Sequence, residues 1–293
     1  MFTTLYIREL QNYLYSLRFQ VSFVIVVLVF TLGSVSFASS FKDMHDNYTK
    51  YSVAQQEAIG KQAENISKVA TARNSFIISP RENSVIADCK ESYLPNRITY
   101  SAYNVFDYSV RHDSNNPLLI RTDSLSWSFI VSMFLSFITL LFAFDAISGE
   151  KEERTLALVF SNAVPRRTFL CSKLLSIITV IGVMELVGII ISLIILAVSG
   201  QVQLNSSFLI ETAGFILISL LFITTFAVFG LLSSVVTRYS NISLLISLCF
   251  WLFAAVVIPN TSVFWAKTLF SIPTSDEVAQ KRQEASNDIN RNA

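Results

Sequence analysis

Five long apolar runs, separated by polar segments, constrain the fold of this chain more than any other feature. An α-helix rises about 1.5 Å per residue, so roughly 20 apolar residues cross the ~30 Å hydrocarbon layer of a bilayer. The 293 residues are 52% hydrophobic and only 15% charged, which is too apolar for an ordinary soluble domain. We therefore predict an α-helical polytopic membrane protein with five visible spans. The runs are residues 19–38, 125–147, 174–198, 208–236 and 242–258.

Residues 1–18, ahead of the first run, have the pattern of an amphipathic helix. Apolar and aromatic side chains recur at helical spacing, while Arg8, Glu9 and Arg18 fall on the opposite face. The pattern favours a helix that lies at the membrane surface with its tyrosines at headgroup depth. The alternative is a water-soluble helix packed on a partner.

Residues 39–124 are polar, with ten Lys/Arg and ten Asp/Glu, and contain no run long enough to span a membrane. A loop of this length is an inserted domain rather than a connector. The pattern is weakly helical over residues 44–73, and beyond them short apolar pieces alternate with Pro80 and Pro95, which indicates short strands or loops. We expect a small α/β or mainly helical domain.

The distribution of Lys and Arg in the short loops predicts the orientation of the chain. Residues 148–173 carry five Lys/Arg and the turn after the fourth run carries Arg238, whereas residues 199–207 carry none. The N-terminus and residues 148–173 are therefore expected in the cytoplasm, with residues 39–124 and 259–293 outside it. The last segment stops within a helical pattern, which favours a chain that continues into a further domain and a sixth span over one that ends there.

Residues 148–173 are the most strongly charged stretch between two apolar runs. Glu150, Glu152 and Glu153 lie where the first turns of a helix would favour acids. An apolar ridge that includes Leu156 follows, and Pro165 should end the helix. These features predict a short amphipathic helix along the inner membrane surface, suited to docking into a groove on a soluble partner. An ordinary connecting loop with solvated charges fits the pattern equally well.

The same region carries an ordered set of short motifs. An acidic residue ends the second run, and Ser-Gly-Glu, a Thr-Leu pair, a proline with basic neighbours and a lysine before the third run follow. The order resembles the permease subunits of the type-2 ATP-binding-cassette (ABC) exporters, in the variant with an extracytoplasmic domain between the first two spans. That family usually has glycine just before Thr-Leu, where this chain has Arg154. The matching residues are Asp145, Ser148, Gly149, Glu150, Thr155, Leu156, Pro165, Arg166, Arg167 and Lys173.

The resemblance implies six spans per permease, of which five are visible, and two permeases per transporter, either two copies or a pair of paralogues. It also implies a coupling helix at about 148–162 that fits a cleft on an ABC ATPase and moves the second and third spans. This chain has no GxxxxGK[ST] motif, so ATP and Mg²⁺ would be bound by the partner ATPase, and we expect no cofactor and no catalytic residue here. The ATPase-coupling residues would be Asp145, Gly149, Glu150, Glu153, Thr155, Leu156, Pro165 and Arg166.

Few other residues suggest chemistry. Glu185 lies near the middle of the third run, where a lone ionisable group costs about 2.5–3.5 kcal/mol on insertion scales. It either lines a transport path or is a neutral acid hydrogen-bonded to Ser or Thr of a neighbouring span. Cys89, Cys171 and Cys249 lie in different segments and provide neither a disulfide framework nor zinc spacing. The net charge of +1 argues against a nucleic-acid partner.

Two functions fit these observations. The first is the permease subunit of an ABC exporter in a bacterial inner membrane, with the lipid bilayer, an ABC ATPase and a second permease as partners. The alternative is a non-transporting subunit of an ABC-like complex, which passes force to an envelope protein through residues 39–124. A third hypothesis, an ion-coupled carrier, needs paired intramembrane charges and inverted repeats; the sequence has one central Glu and no repeat.

Overall fold

The structure is a computed structural model, and it describes residues 2–62, 74–87, 97–100, 107–109, 125–161, 164–200, 202, 205–269, 280–281 and 284. These residues are mainly helical. The chain divides into two compact units, Met1–Ser247 and Leu248–Ala293. The helices are α1 (Phe2–Leu14), α2 (Leu17–Gln62), α3 (Trp127–Ile130), α4 (Ser136–Ala143), α5 (Ser148–Glu152), α6 (Leu156–Ser161), α7 (Arg166–Ser199), α8 (Ser206–Val236), α9 (Ser240–Trp251) and α10 (Ile258–Leu269).

Five helical stretches among these residues are long and apolar enough to cross a membrane. This finding confirms the predicted fold class, an α-helical polytopic membrane protein with five visible spans. The second of them is continuous through a π-helical segment, Val131–Leu135, that joins α3 to α4. The five stretches are Leu17–Lys61, Trp127–Glu152, Arg166–Ser199, Ser206–Val236 and Ser240–Val257.

Helix α2 crosses the boundary that we predicted at residues 38 and 39 between the first span and a separate polar domain. It is one helix of 46 residues. At about 1.5 Å per residue it is roughly 70 Å long, more than twice the thickness of the hydrocarbon layer. The helix contains no proline and only two glycines, Gly33 and Gly60. Nothing therefore breaks the backbone where its side chains change from apolar to polar.

Three short strands form an antiparallel sheet within the polar region 39–124. β1 (Asn74–Ile77) pairs with β2 (Arg97–Tyr100), and β2 pairs with β3 (Asp107–Ser109). Strands follow a helix here, in the order that the sequence pattern predicted. Much of the predicted domain lies outside the described residues: 63–73, 88–96, 101–106 and 110–124.

A short 3-10 turn, Glu82–Val85, attaches this polar region to two of the apolar helices. Val85 and Ile86 are buried in the hydrophobic core. The Ile86 carbonyl accepts a hydrogen bond from the N–H of Ser128 in α3 at 2.9 Å. Asn83 donates a hydrogen bond to the carboxylate of Glu211 in α8. The segment is thus held by apolar burial and by polar contacts together.

Two glycines allow the closest approaches between the apolar helices. A Cβ built at Gly188 of α7 would lie 2.5 Å from Cδ2 of Phe30 in α2. A Cβ at Gly230 of α8 would lie 2.5 Å from the Cβ of Ala143 in α4. Small residues at such crossings let helix backbones pack closely, so a larger side chain would require the Phe30 ring or the helices to shift at Gly188, and the helices to move apart at Gly230.

From its place near the outer end of the second run, Trp127 is predicted to anchor that span at the membrane interface, but it lies inside the protein. Only 1% of its surface is exposed. Its indole N–H donates a hydrogen bond to Oγ of Ser192 at 2.7 Å, and Ser192 is also hydrogen-bonded to Ser34 of α2. The prediction was wrong because neighbouring helices supply a buried acceptor for the indole, and the position of Trp127 in its own run does not reveal that acceptor.

The proline directly after the fifth run predicts that the span closes there, and the fifth apolar stretch does end just before it, at Val257, but the backbone stays helical beyond Pro259. The chain continues from a π-helical segment, Leu252–Val257, directly into α10, in which Pro259 is the second residue. Proline is tolerated in the first turn of a helix, where the missing N–H costs little.

Candidate functional site

Two short helices connect α4 to α7, where we predicted a single coupling helix at about 148–162. α5 and α6 are separated by a turn at Glu153 and Arg154. Residues 162–163 lie outside the described residues. The helical pattern in the sequence is real on both sides of the turn, but it does not show the interruption.

The turn is a Schellman motif, the hydrogen-bonded end of a helix that uses one left-handed residue. The N–H of Arg154 donates to the carbonyl of Lys151 at 3.2 Å, and the N–H of Thr155 donates to the carbonyl of Glu150 at 3.0 Å. Arg154 is the left-handed residue, with φ of 59°. Glycine is the usual residue at this position, and it would adopt the left-handed conformation more easily than Arg154 does.

Ser234 of α8 caps the beginning of α5. Its Oγ accepts hydrogen bonds from the backbone N–H of Ile147 at 2.9 Å and of Ser148 at 2.8 Å. The first N–H groups of a helix have no acceptor within the helix. Because Ser234 and Ser148 are fully buried, water does not replace this acceptor. A side chain of α8 therefore fixes where α5 starts.

The two charged residues that end α5 bind the turn between α8 and α9. Glu152 accepts a hydrogen bond from the N–H of Ser240, the first residue of α9, at 3.3 Å. The ammonium of Lys151 donates to three backbone carbonyls at the end of α8, those of Ser234 at 3.2 Å, Val235, and Thr237 at 2.9 Å. The helix dipoles favour both contacts, since they favour a cation at the C-terminus of α8 and an anion at the N-terminus of α9.

Lys173 of α7 is a buried cation held by two carboxylates. Its Nζ lies 3.0 Å from Glu9 of α1 and 2.7 Å from Glu150 of α5, and 5.0 Å from the centre of the Phe169 ring. We predicted Glu9 on the outward polar face of α1. It instead faces α7, because a buried ammonium requires a charged partner. The second carboxylate oxygen of Glu150 is buried and has no hydrogen-bond partner.

Tyr13 of α1 is packed beside the same charges. Its ring meets the ring of Phe142 edge-on, with 5.7 Å between the centroids. Burial and then the nearby carboxylate of Glu9 raise the pKa of the Tyr13 phenol above its usual range. The phenol therefore stays neutral across the physiological range, and α1 contributes one charge to the cluster, that of Glu9.

Asp145, in the turn that ends α4, forms an ion pair with Arg18 at the start of α2. The Arg18 guanidinium also lies 5.3 Å from the centre of the Phe144 ring. The pair is partly exposed, so its own contribution to stability is small. Its effect is to fix the beginning of the first span against the end of the second.

The apolar ridge of α6 faces inward. Leu156, Val159 and Phe160 are half-buried and pack against the hydrophobic core, whereas Leu158 is 67% exposed. We predicted that this ridge would be available to a soluble partner. In the structure this ridge packs on the chain itself. A helix of six residues is too short to be stable alone, so α6 depends on these apolar contacts. The outward surface of the two helices consists of Glu152, Glu153, Arg154, Ala157, Leu158 and Ser161.

Pro165 and Arg166 mark the start of α7. Pro165 is the residue just before the helix, and its carbonyl accepts the N–H of Phe169 at 3.1 Å. The Phe160 ring of α6 meets the Phe169 ring edge-on at 5.5 Å, and the Arg166 guanidinium lies 5.8 Å from the centre of the Phe160 ring. These contacts attach α6 to the beginning of the third span.

The charged and hydrogen-bonded residues around α5 and Lys173 form one polar cluster. It brings the predicted residues Asp145, Gly149 and Glu150 together with partners that the sequence pattern did not indicate. Gly149 is not sterically required, because an added Cβ would meet no atom closer than 3.8 Å. The missed partners are Glu9, Lys151, Glu152 and Ser234. Of the residues that hold the cluster together, only Lys173 could be recognised from the sequence as needing a partner, because a lysine that enters an apolar helix needs a counter-charge. One buried serine among many cannot be recognised in this way.

Glu185 lies apart from this cluster, in the middle of α7. It is fully buried and accepts a hydrogen bond from the hydroxyl of Ser219 in α8. Its second carboxylate oxygen has no partner. The Ser219 contact is the kind that we predicted for a neutral acid bonded to a neighbouring span. Among the residues described, no group of three His, Cys, Asp or Glu side chains is placed to hold a metal ion.

The arrangement defines a class of protein: a multi-span membrane protein whose first three spans converge, at one end, on a short charged connection that presents its outer face to solvent. Comparison with family models then identifies the family, because the model described as ABC-2 family transporter protein matches residues 3–290. The chain belongs to this family. No curated protein and no solved structure matches it.

Membership gives the general role of the chain. It is a permease, the membrane component of an ABC transporter, and such permeases work with an ABC ATPase subunit. The resemblance seen in the motifs between residues 145 and 173 is therefore confirmed at the level of the family.

Proposed function

We propose that this permease is the transmembrane subunit of an ABC exporter and that a separate ATPase binds to the outward face of α5 and α6. ATP and Mg²⁺ are bound by that ATPase. The observation that carries the proposal is the pair of short helices itself. They expose Glu152, Glu153 and Arg154, while their inner surfaces are attached to α7, α8 and α9.

Four of the proposed coupling residues divide into two groups by where they point. Glu153 is exposed and would contact the ATPase directly. Glu150, Thr155 and Leu156 face the protein and would position the helices: Glu150 through Lys173, Thr155 through the Schellman turn, and Leu156 through the core. The other proposed coupling residues act at the two ends of the segment: Asp145 and Gly149 at its beginning, Pro165 and Arg166 at its end.

The orientation follows from the positions of the basic residues. Arg18, Lys151 and Lys173 lie in one polar cluster, and Arg238 is in the turn that Lys151 binds. Basic residues of short loops favour the cytoplasmic side. The N-terminus and the α5–α6 segment would then be cytoplasmic, in a bacterial inner membrane, and the strands β1 to β3 would lie on the other side.

Other parts of the proposal come from the family resemblance. The active unit would be a dimer with a second copy or a paralogue, surrounded by lipid. Glu185 is proposed as a functional intramembrane group, since a buried carboxyl with one oxygen unpaired is costly and is seldom retained without a role. Replacing it by glutamine keeps the shape and removes the charge, so wild-type export by Glu185→Gln would contradict an essential charge.

A second candidate function has its own support. α2 continues well past the length needed for a span, and it is followed by the antiparallel sheet. A rigid helix with a folded segment at its end suits a subunit that passes force to an envelope protein. A partner that binds residues 39–124, in a complex that moves no substrate, would favour this function over export.

The primary test exchanges charges on the exposed face. The wild-type chain and the Glu153→Lys/Arg154→Glu variant would be purified from the native host, and the ABC ATPase identified by mass spectrometry and by ATP hydrolysis. We expect the variant to recover at least tenfold less ATPase. The matched control is Glu57→Lys/Lys61→Glu, an exchange on the exposed surface of α2. Equal recovery with the variant, or no ABC ATPase with the wild-type chain, would contradict the proposal.

A further inference from the structure

α5 is attached by its polar groups to the turn between α8 and α9 more extensively than to the helices that it follows and precedes in sequence. The family resemblance implies that the coupling segment moves the second and third spans. We propose instead that a clamp formed by Lys151, Glu152 and Ser234 passes any displacement of α5 to α8 and α9, the fourth and fifth spans. This inference rests on the proposed function, in which α5 is moved by the ATPase.

The clamp holds both sides of the α8–α9 turn. Lys151 uses its ammonium on carbonyls that have no donor within α8, because they belong to the last turn of that helix. Glu152 binds the first N–H of α9. Hydrogen bonds with one charged partner are roughly twice as strong as neutral ones. The turn therefore follows α5 unless several charge-assisted bonds break together.

Ser234 closes the clamp from the other direction. Its hydroxyl oxygen accepts hydrogen bonds from the N–H of Ser148, the first residue of α5, and of Ile147 just before it. The hydroxyl of Ser148 lies 3.5 Å from that of Ser240. These groups are at the beginning of α5, whereas Lys151 and Glu152 are at its end. A short helix bound at both ends to the same turn cannot rotate away from it.

α6 has a different attachment. Its Phe160 packs on Phe169 of α7, and the left-handed turn at Arg154 separates it from α5. α5 has a polar link to α7 as well, but it is the single ion pair of Glu150 with Lys173. The connection thus has two parts, one fastened to α8 and α9 and the other to α7, with a turn between them.

A covalent replacement of the clamp tests this inference. In a chain whose three native cysteines are replaced by serine, Ser148→Cys and Ser240→Cys would place two thiols where the hydroxyls now lie 3.5 Å apart, which is close enough for a disulfide after a small adjustment. Lys151→Met removes the cationic part of the clamp. The cysteine pair and Lys151→Met are combined in one chain. This chain is studied in complex with the ATPase that copurifies with the wild-type chain.

The measurement is hydrogen–deuterium exchange of the peptides covering α5 and the α8–α9 turn, with and without ATP, Mg²⁺ and vanadate. In the wild type we expect nucleotide to change exchange in both peptides. In Lys151→Met we expect the change in α5 to remain and that in the turn to fall at least threefold. Oxidation of the cysteine pair should restore the response of the turn, and reduction should abolish it again. Lys151→Arg should retain at least half of the response.

The outcomes separate this inference from the proposed function. A turn that responds fully in Lys151→Met, or a complete disulfide that restores nothing, overturns the clamp while leaving the ATPase contact intact. No response of α5 in the wild-type complex overturns both. The geometry is checked without any ATPase: a disulfide yield below about a tenth under mild oxidation of the purified chain would also overturn the clamp.

Discussion

Lys173 and Glu150 form an ion pair inside the protein, with 2.7 Å between Nζ and the nearer carboxylate oxygen. The lysine belongs to the third span and the glutamate to α5, and Glu9 of α1 shares the same ammonium. Three parts of the chain that are distant in sequence are thus connected through one cation. Removing the Lys173 ammonium leaves the carboxylates of Glu9 and Glu150 without their partner where little water reaches them.

Lys173→Met is therefore expected to destabilise the protein by about 3–5 kcal/mol, the range for breaking a buried pair by removing one partner. Thermal unfolding in detergent, followed by intrinsic fluorescence, measures the effect. Adding Glu150→Gln should recover part of the loss, because one of the orphaned charges is removed with it. Lys50→Met on the exposed side of α2 is the control, and an equal shift in both variants would contradict the role of Lys173.

Arg154→Gly is expected to stabilise the turn between α5 and α6. The left-handed conformation costs an L residue roughly 1–2 kcal/mol, and the greater freedom of glycine in the unfolded chain cancels part of that gain. A net increase of about 0.5–1 kcal/mol should appear as a higher unfolding temperature. Arg154→Val, which is β-branched, should lower that temperature. A lower temperature for Arg154→Gly would show that the arginine side chain contributes more than its backbone costs.

Ser234→Ala removes the acceptor for two backbone N–H groups at the beginning of α5, those of Ile147 and Ser148. Leaving buried donors unsatisfied costs about 1–3 kcal/mol, so we expect a destabilisation of that size, with faster hydrogen exchange at residues 147 and 148. Thr225→Ala is the matched control, because this exposed hydroxyl in the same helix donates only to the carbonyl of Leu221. Similar effects of the two substitutions would contradict a capping role for Ser234.

Two glycines of α8 should respond in opposite ways to alanine. At Gly230 the new Cβ would lie 2.5 Å from that of Ala143, whereas at Gly214 it would meet nothing within 4 Å. Gly230→Ala is expected to destabilise by about 1–3 kcal/mol, as overpacking does. Gly214→Ala should stabilise by about 0.5–1 kcal/mol, because it favours the helix. Unfolding temperatures of the two variants, measured side by side, test the close crossing of α4 and α8.

The number and approximate positions of the spans could be predicted because a bilayer imposes a minimum length of apolar chain. The ends of the helices could not. Hydropathy reports where side chains become polar, and α2 continues through that change for want of a breaking residue. At Pro259 the apolar stretch ends where the sequence indicates, but the helical backbone continues past it, because a proline is tolerated in the first turn of α10.

The candidate site could be located from its motifs, but its contacts could not be predicted. The motif residues between 145 and 173 gave the position of the charged connection. The direction in which Leu156 and Glu150 point depends on α7 and α8, which approach from elsewhere in the sequence. Lys151 showed only as one charge among many, because its acceptors are backbone carbonyls and carbonyls have no sequence signature.

The unbroken length of α2 has a mechanical consequence. Its last 24 or so residues after position 38 extend roughly 36 Å at 1.5 Å per residue, so tilting the helix by about 10° moves its far end by about 6 Å. In the first turn of the same helix, Arg18 is paired with Asp145, just before the short helices α5 and α6. A tilt of α2 driven by a small rearrangement around Asp145 would therefore be amplified to several ångströms at Gln62.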